Sequence, residues 1–142
     1  MEWSKVAIED LKKYGQIKAS ISHLEKRILD LKEIEEAAMN YAKTADGDVK
    51  EAADALTDAA VERARLEMLV CVNKKLVWKI EDGLNKLNAH EKKILTEFYT
   101  DRKQGHVRRI SDSLKYEKSE IYRQKDEALY KFVCGMYGIL DY

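Results

Sequence analysis

The chain has 142 residues, no proline, six glycines, 45% hydrophobic and 37% charged residues, and a formal net charge of zero. That length suits one ordinary domain, or a small domain joined to a helical element, and the apolar share excludes a disordered chain. With no proline to break them, helices can run far, so an all-α protein is expected.

At the N-terminus, MEWSKVAIEDLKKYG carries acids where a signal peptide would have an apolar core, and no apolar run in the chain approaches a bilayer span. No membrane contact and a cytoplasmic location are expected. Tyr14, Ile17, Ile21, Leu24, Ile28 and Leu31 then recur at spacings of three and four, which places them in one helical seam continuing through Ala38. In KTADGDVK, Asp46, Gly47 and Asp48 can turn the chain, and Asp48 can cap a new helix.

A second seam follows through Val49, Ala52, Leu56, Ala59, Arg63, Leu66, Val70, Asn73, Val77, Ile80, Leu84 and Leu87, on coiled-coil spacing. Two such helices joined by a short turn are expected to fold back as an antiparallel hairpin over residues 1–87. Leu29, Ile34, Met68, Leu69 and Trp78 would then face outward, available to another copy. Arg63 and Asn73 interrupt the seam, either to specify register or because its edge reaches solvent. Cys71 and Cys134 stand 63 positions apart with no CxxC and no clustered histidine, so buried reduced thiols are expected, with no disulfide, zinc site or cofactor.

Residues 88–142 read as a second unit. Up to residue 87 the chain holds fifteen Lys/Arg and seventeen Asp/Glu; after it, eleven and nine. Asn88-Ala89-His90-Glu91 has the form of a capping box, and Ile94, Leu95, Phe98 and Tyr99 give the helix behind it an apolar face about three turns long. Gly105 marks its end or the following loop. Val107, Ile110 and Leu114 share a face of a short helix, Lys115-Tyr116 interrupts it, and Ile121, Ala128, Leu129 and Phe132 line the next. Three helices with a tight turn before the last have helix-turn-helix form, with Ile110, Leu114, Tyr116 and Ile121 as core and small Ser111 at the closest approach.

With that inner face, Lys118, Ser119, Tyr122, Arg123 and Asp126 point outward near the start of the last helix, where a recognition helix meets base edges. Arg108, Arg109, Lys115 and Lys125 are placed for phosphate contacts. From Arg102 to Lys125 eight bases face three acids. Spacing alone leaves an ordinary charged helix surface and a DNA-reading surface as equal alternatives.

ISDSLKYEKSEIYRQKDEALYKF resembles the fourth conserved region of bacterial sigma-70 factors, and LNAHEKKILTEFY resembles that region's opening helix. More narrowly, with LKKYGQIKASISHLEKRILDL before it and ALYKFVCGMYG at its close, the chain resembles the small phage transcriptional regulators of the ArpU and RinA type. The resemblance implies a cytoplasmic regulator in a bacterial host that binds double-stranded DNA, with base-reading positions on Lys118, Ser119, Tyr122 and Arg123, and RNA polymerase as a further candidate partner. Glu117 departs from the Ser or Thr cap usual in the family. Dimerisation through the N-terminal helices fits this reading, because two half-sites multiply the modest specificity of one small module. The alternatives are a helical assembly or adaptor protein, or a phage DNA-packaging small subunit, without a promoter role. His23, His90 and His106 are scattered and no nucleophile, carboxylate pair or phosphate loop emerges, so no catalysis is expected.

Overall fold

The computed structural model describes residues 3–44 and 46–138; all its regular elements are helical, with no strand among the described residues. In chain order they are α1 (Trp3–Ala42), α2 (Val49–Asn85), α3 (Ala89–Leu95) running directly into a π-helical turn (Thr96–Thr100), α4 (His106–Leu114) and α5 (Lys118–Tyr137). No described helix is long and apolar enough to cross a membrane. The chain divides into two compact units, one of residues 18–75 and one of residues 1–17 with 76–142. The division falls inside α1 and α2 instead of at residue 87.

In the 18–75 unit the expected spacing is visible as burial. Ile28, Leu31 and Ala38 on α1 and Ala52, Ala59 and Val70 on α2 are buried, at the three- and four-residue intervals that bring side chains onto one stripe. The polar interruptions are interhelical contacts. Arg63 meets Glu35 through two nitrogens, Nε to Oε2 at 2.7 Å and Nη2 to Oε1 at 3.1 Å, and reaches Glu67 on its own helix at 3.0 Å. These guanidinium hydrogen bonds hold the Glu35 carboxyl below the usual carboxylate range. Asn73 Nδ2 lies 3.5 Å from Ser20 Oγ, Lys74 pairs with Glu25 at 2.8 Å and Arg27 with Glu62 at 3.2 Å.

At the turn, Asp48 Oδ1 accepts from the backbone amides of Lys50 and Glu51 and so caps α2. Val49, at the first helical position, is 67% exposed and does not join the seam. Leu29, Ile34, Met68 and Leu69 are exposed, as their places off the seam require. Cys71 is exposed instead of buried, because it follows the seam residue Val70 and is rotated about 100° from it; Cys134 is partly buried, and both are free thiols.

The second unit has two apolar clusters. In the larger, Ala7 and Leu11 of α1, Ile80 and Leu84 of α2 and Leu87 pack with Leu95 and with Ala128, Leu129, Phe132, Val133 and Met136 of α5. Leu87 lies beyond the end of α2, its amide bonded to the carbonyl of Leu84, yet is buried in this core. Trp78 remains exposed. Helices α2 and α5 approach closely where each has a glycine: a Cβ on Gly83 would stand 2.7 Å from Met136 Cγ and 2.9 Å from the Phe132 ring, and one on Gly135 would stand 3.5 Å from Gly83 Cα. Lys86 Nζ donates to the Gly135 carbonyl at 3.0 Å. Tyr137 donates to Asp10 Oδ2 at 2.8 Å and stacks obliquely on Trp3, and burial followed by the Asp10 carboxylate pushes its phenol up.

Candidate nucleic-acid interface

The smaller cluster, Ile94, Phe98, Ile110 and Ile121 with Tyr99, Val107, Leu114 and Tyr116 around it, fixes α3, α4 and α5 against one another. Of the four residues expected to form this core, Ile110 and Ile121 are buried in it, and Leu114 and Tyr116 are partly buried against it. The capping box forms as the sequence implies: Asn88 Oδ1 accepts from the Glu91 amide at 2.9 Å and Glu91 Oε1 from the Asn88 amide at 3.0 Å. Glu91 also pairs with Lys131 of α5 at 2.7 Å. Burial pushes the Glu91 carboxyl up, but the Lys131 ammonium and the Asn88 amide outweigh it and hold the carboxyl low.

Gly105, at φ 72°, sits in the left-handed region and opens α4. Lys115, at φ 61°, closes the same helix in that region, a conformation that is uncommon for a residue with a Cβ. The turn is held by Ser111 Oγ donating to the Tyr116 carbonyl, which accounts for a small polar residue at that position. Glu117 is the N-cap of α5 with extended backbone, but its side chain makes no capping hydrogen bond. The first-turn amides of α5 therefore lack the side-chain acceptor that a Ser or Thr would supply.

Lys118, Ser119, Tyr122 and Arg123 are all exposed on the first two turns of α5, opposite buried Ile121 and Ala128. They differ in freedom. Arg123 is held by Glu120 through Nε at 2.9 Å and a second, shorter contact, and by Glu127 at 2.6 Å. The Arg123 hydrogen bond, supported by Gln124, lowers the Glu120 carboxyl to about 2. Tyr122 stands edge-on to Phe98, with ring centroids 5.8 Å apart.

The four expected phosphate-contacting residues separate into two pairs. Arg108 and Lys115 are exposed and have no ion-pair partner among the described residues. Arg109 is partly buried, its Nη2 3.0 Å from Glu97 Oε2 in an ion pair that lacks hydrogen-bond alignment. Lys125 is turned inward: its ammonium lies 5.7 Å from both the Phe98 and Tyr122 ring centroids and 2.9 Å from Asp126. Burial pushes the Lys125 ammonium down, and Asp126 with Tyr99 and Tyr122 more than restores it. Of the eight bases from Arg102 to Lys125, four have carboxylate partners (Lys103, Arg109, Arg123 and Lys125) and Arg102, Arg108, Lys115 and Lys118 have none among the described residues.

Arg102 is the residue that helix patterning left unassigned; its only sequence signal is membership of the basic window, because it lies in the segment between regular elements. His106 packs edge-on to Phe98 at 4.7 Å, and burial, then the charges of Arg102 and Arg109, hold its imidazole below its usual value. Among the described residues no three His, Cys, Asp or Glu side chains gather as a metal site. Set against protein-family models, curated proteins and solved structures, the chain matches none of them.

Proposed function

We propose that the protein is a DNA-binding transcriptional regulator of the phage type, in which α4, the Lys115–Glu117 turn and α5 act as a helix-turn-helix. In this reading α5 lies in the major groove, with Lys118, Ser119, Tyr122 and Arg123 toward base edges and Arg108 and Lys115 on the backbone. Helices α1 and α2 form a hairpin that joins two copies so that two half-sites are read together, and RNA polymerase is a further partner of the same surface. The observation that carries the reading is a set of exposed donors on the first turns of α5, held on an apolar cluster beside three further cations, Arg102, Arg108 and Lys115, that have no carboxylate partner among the described residues.

Arg109 and Lys125 have a different role in this proposal. Their charges are spent inside the unit, on Glu97 and on Asp126 and two aromatic rings, so they orient α4 and α5 instead of contacting phosphate. Arg102 takes a phosphate-contact position. Selection from a random duplex pool tests the proposal: the wild type enriches a motif, Lys118→Ala relaxes it at one position, and Arg108→Ala weakens all duplexes alike. A pool recovered without enrichment, and without salt-sensitive retention, would refute it.

One observation favours the adaptor reading instead. Arg123, the side chain best suited to a bidentate guanine contact, is engaged by two carboxylates. In that reading the same face meets a protein, and the selection yields no motif.

A further inference from the structure

Helix α2 carries two seams. The inner one, with Ala59, Arg63, Leu66 and Val70, is covered or partly covered by α1. The outer one is Asp58, Val61, Arg65, Met68, Val72 and Lys75, again at alternating spacings of three and four, the repeat of a coiled-coil face. At about 100° per residue its centre lies roughly 160° from that of the inner seam. Nothing in the 18–75 unit covers it: Val61 is 55% exposed, Met68 70% and Val72 56%, and Leu69 at its edge is 45% exposed.

The order of charge along this seam identifies what fits it. An acid stands at one end and a base at the other, with Val61, Arg65, Met68 and Val72 between them, and neither Asp58 nor Lys75 has an ion-pair partner among the described residues. Laid antiparallel about a two-fold axis between Leu66 and Glu67, two copies bring Val61 opposite the partner copy's Val72, Arg65 opposite Met68, and Asp58 opposite Lys75. A parallel pairing would bring Asp58 against Asp58 and Lys75 against Lys75. The seam is therefore complementary to itself in one orientation only. Val61, Met68, Leu69 and Val72 offer on the order of 400 Å² of apolar surface per copy, about half of what a standard-size interface buries per partner.

We propose that a second copy of this chain docks antiparallel on the outer seam of α2. This rests on the dimeric form of the regulator proposed above and assigns its surface and orientation. Sedimentation equilibrium of the full chain, without DNA, tests it. The wild type sediments as a dimer at tens of micromolar, and Met68→Glu sediments as a monomer with unchanged helical circular dichroism. Asp58→Lys and Lys75→Asp each weaken the dimer about tenfold, and the double variant recovers most of the loss.

A monomeric wild type, a dimer indifferent to Met68→Glu, or single charge variants that associate like the wild type would each overturn the proposal. Failure to rescue by the double variant would overturn the antiparallel register. All these readouts lie in residues 18–75 and involve no nucleic acid. They can fail while DNA binding through α5 survives, and the reverse also holds.

Discussion

Replacing Gly83 by alanine sets two opposed effects against each other. Alanine inside a helix gains up to about 1 kcal/mol over glycine from the lower entropy of its unfolded state. At residue 83 the new methyl would stand 2.7 Å from Met136 Cγ and 2.9 Å from the Phe132 ring, in a core where Phe132 is fully buried. Neither neighbour can yield cheaply, since Cγ is not the flexible end of methionine and the ring is planar and enclosed; overpacking of this kind costs about 1–3 kcal/mol. The contact term wins, with a net loss of about 1–2 kcal/mol. Gly15, inside α1, has nothing within 4 Å of the same built methyl, so only the helix-propensity gain remains and Gly15→Ala stabilises by about 0.5–1 kcal/mol. Urea unfolding followed at 222 nm reads both: Gly83→Ala moves the midpoint down and Gly15→Ala moves it up, with unchanged slope. Equal shifts of the same sign would refute the close approach of α2 and α5 at that crossing.

Other outcomes follow from the α5 surface and its surroundings. Glu120→Gln combined with Glu127→Gln frees Arg123, and low-salt affinity for duplex DNA, measured by fluorescence anisotropy, rises about three- to tenfold. Glu117→Ser supplies the missing side-chain acceptor at the start of α5 and raises stability by about 0.5–1 kcal/mol in urea unfolding. The His106 imidazole titrates lower in the folded state than its ordinary value of 6.5, so protonation favours the unfolded chain. Its effect appears as pH falls through about 6.5 and grows until the folded group is itself protonated. Thermal melts of His106→Gln between about pH 7.5 and about pH 5 therefore show a shallower loss of stability than the wild type.

Periodicity made much of the helical frame legible. The inner seams at three- and four-residue spacing correspond to burial at Ile28, Leu31, Ala38, Ala52, Ala59 and Val70, and the capping box at Asn88 and Glu91 forms with both hydrogen bonds. These signals are local, so a sequence can carry them. The joining of Ala7 and Leu11 to Phe132 and Val133 is a contact across more than a hundred residues and leaves no periodic trace. The same holds for Gly83 and Gly135, whose significance exists only once α2 and α5 are side by side. On the candidate interface, outward direction was legible for Lys118, Ser119, Tyr122 and Arg123, and inward direction for Ile121. What was not legible is whether each charge is already engaged. Lys125 lies one turn after Ile121 and folds over Phe98 and Tyr122, a placement that depends on α3 and its π-helical turn, for which no residue pattern gave notice.

The central claim is that the surface around α5 binds duplex DNA through its unpartnered cations. The salt dependence of duplex affinity tests it most directly. If Arg102, Arg108 and Lys115 each neutralise one phosphate, a plot of log affinity against log salt has a slope of about −3 per copy, and Arg108→Ala with Lys115→Ala reduces it by about 2. A flat plot, or a steep one that the double variant leaves unchanged, would contradict the account.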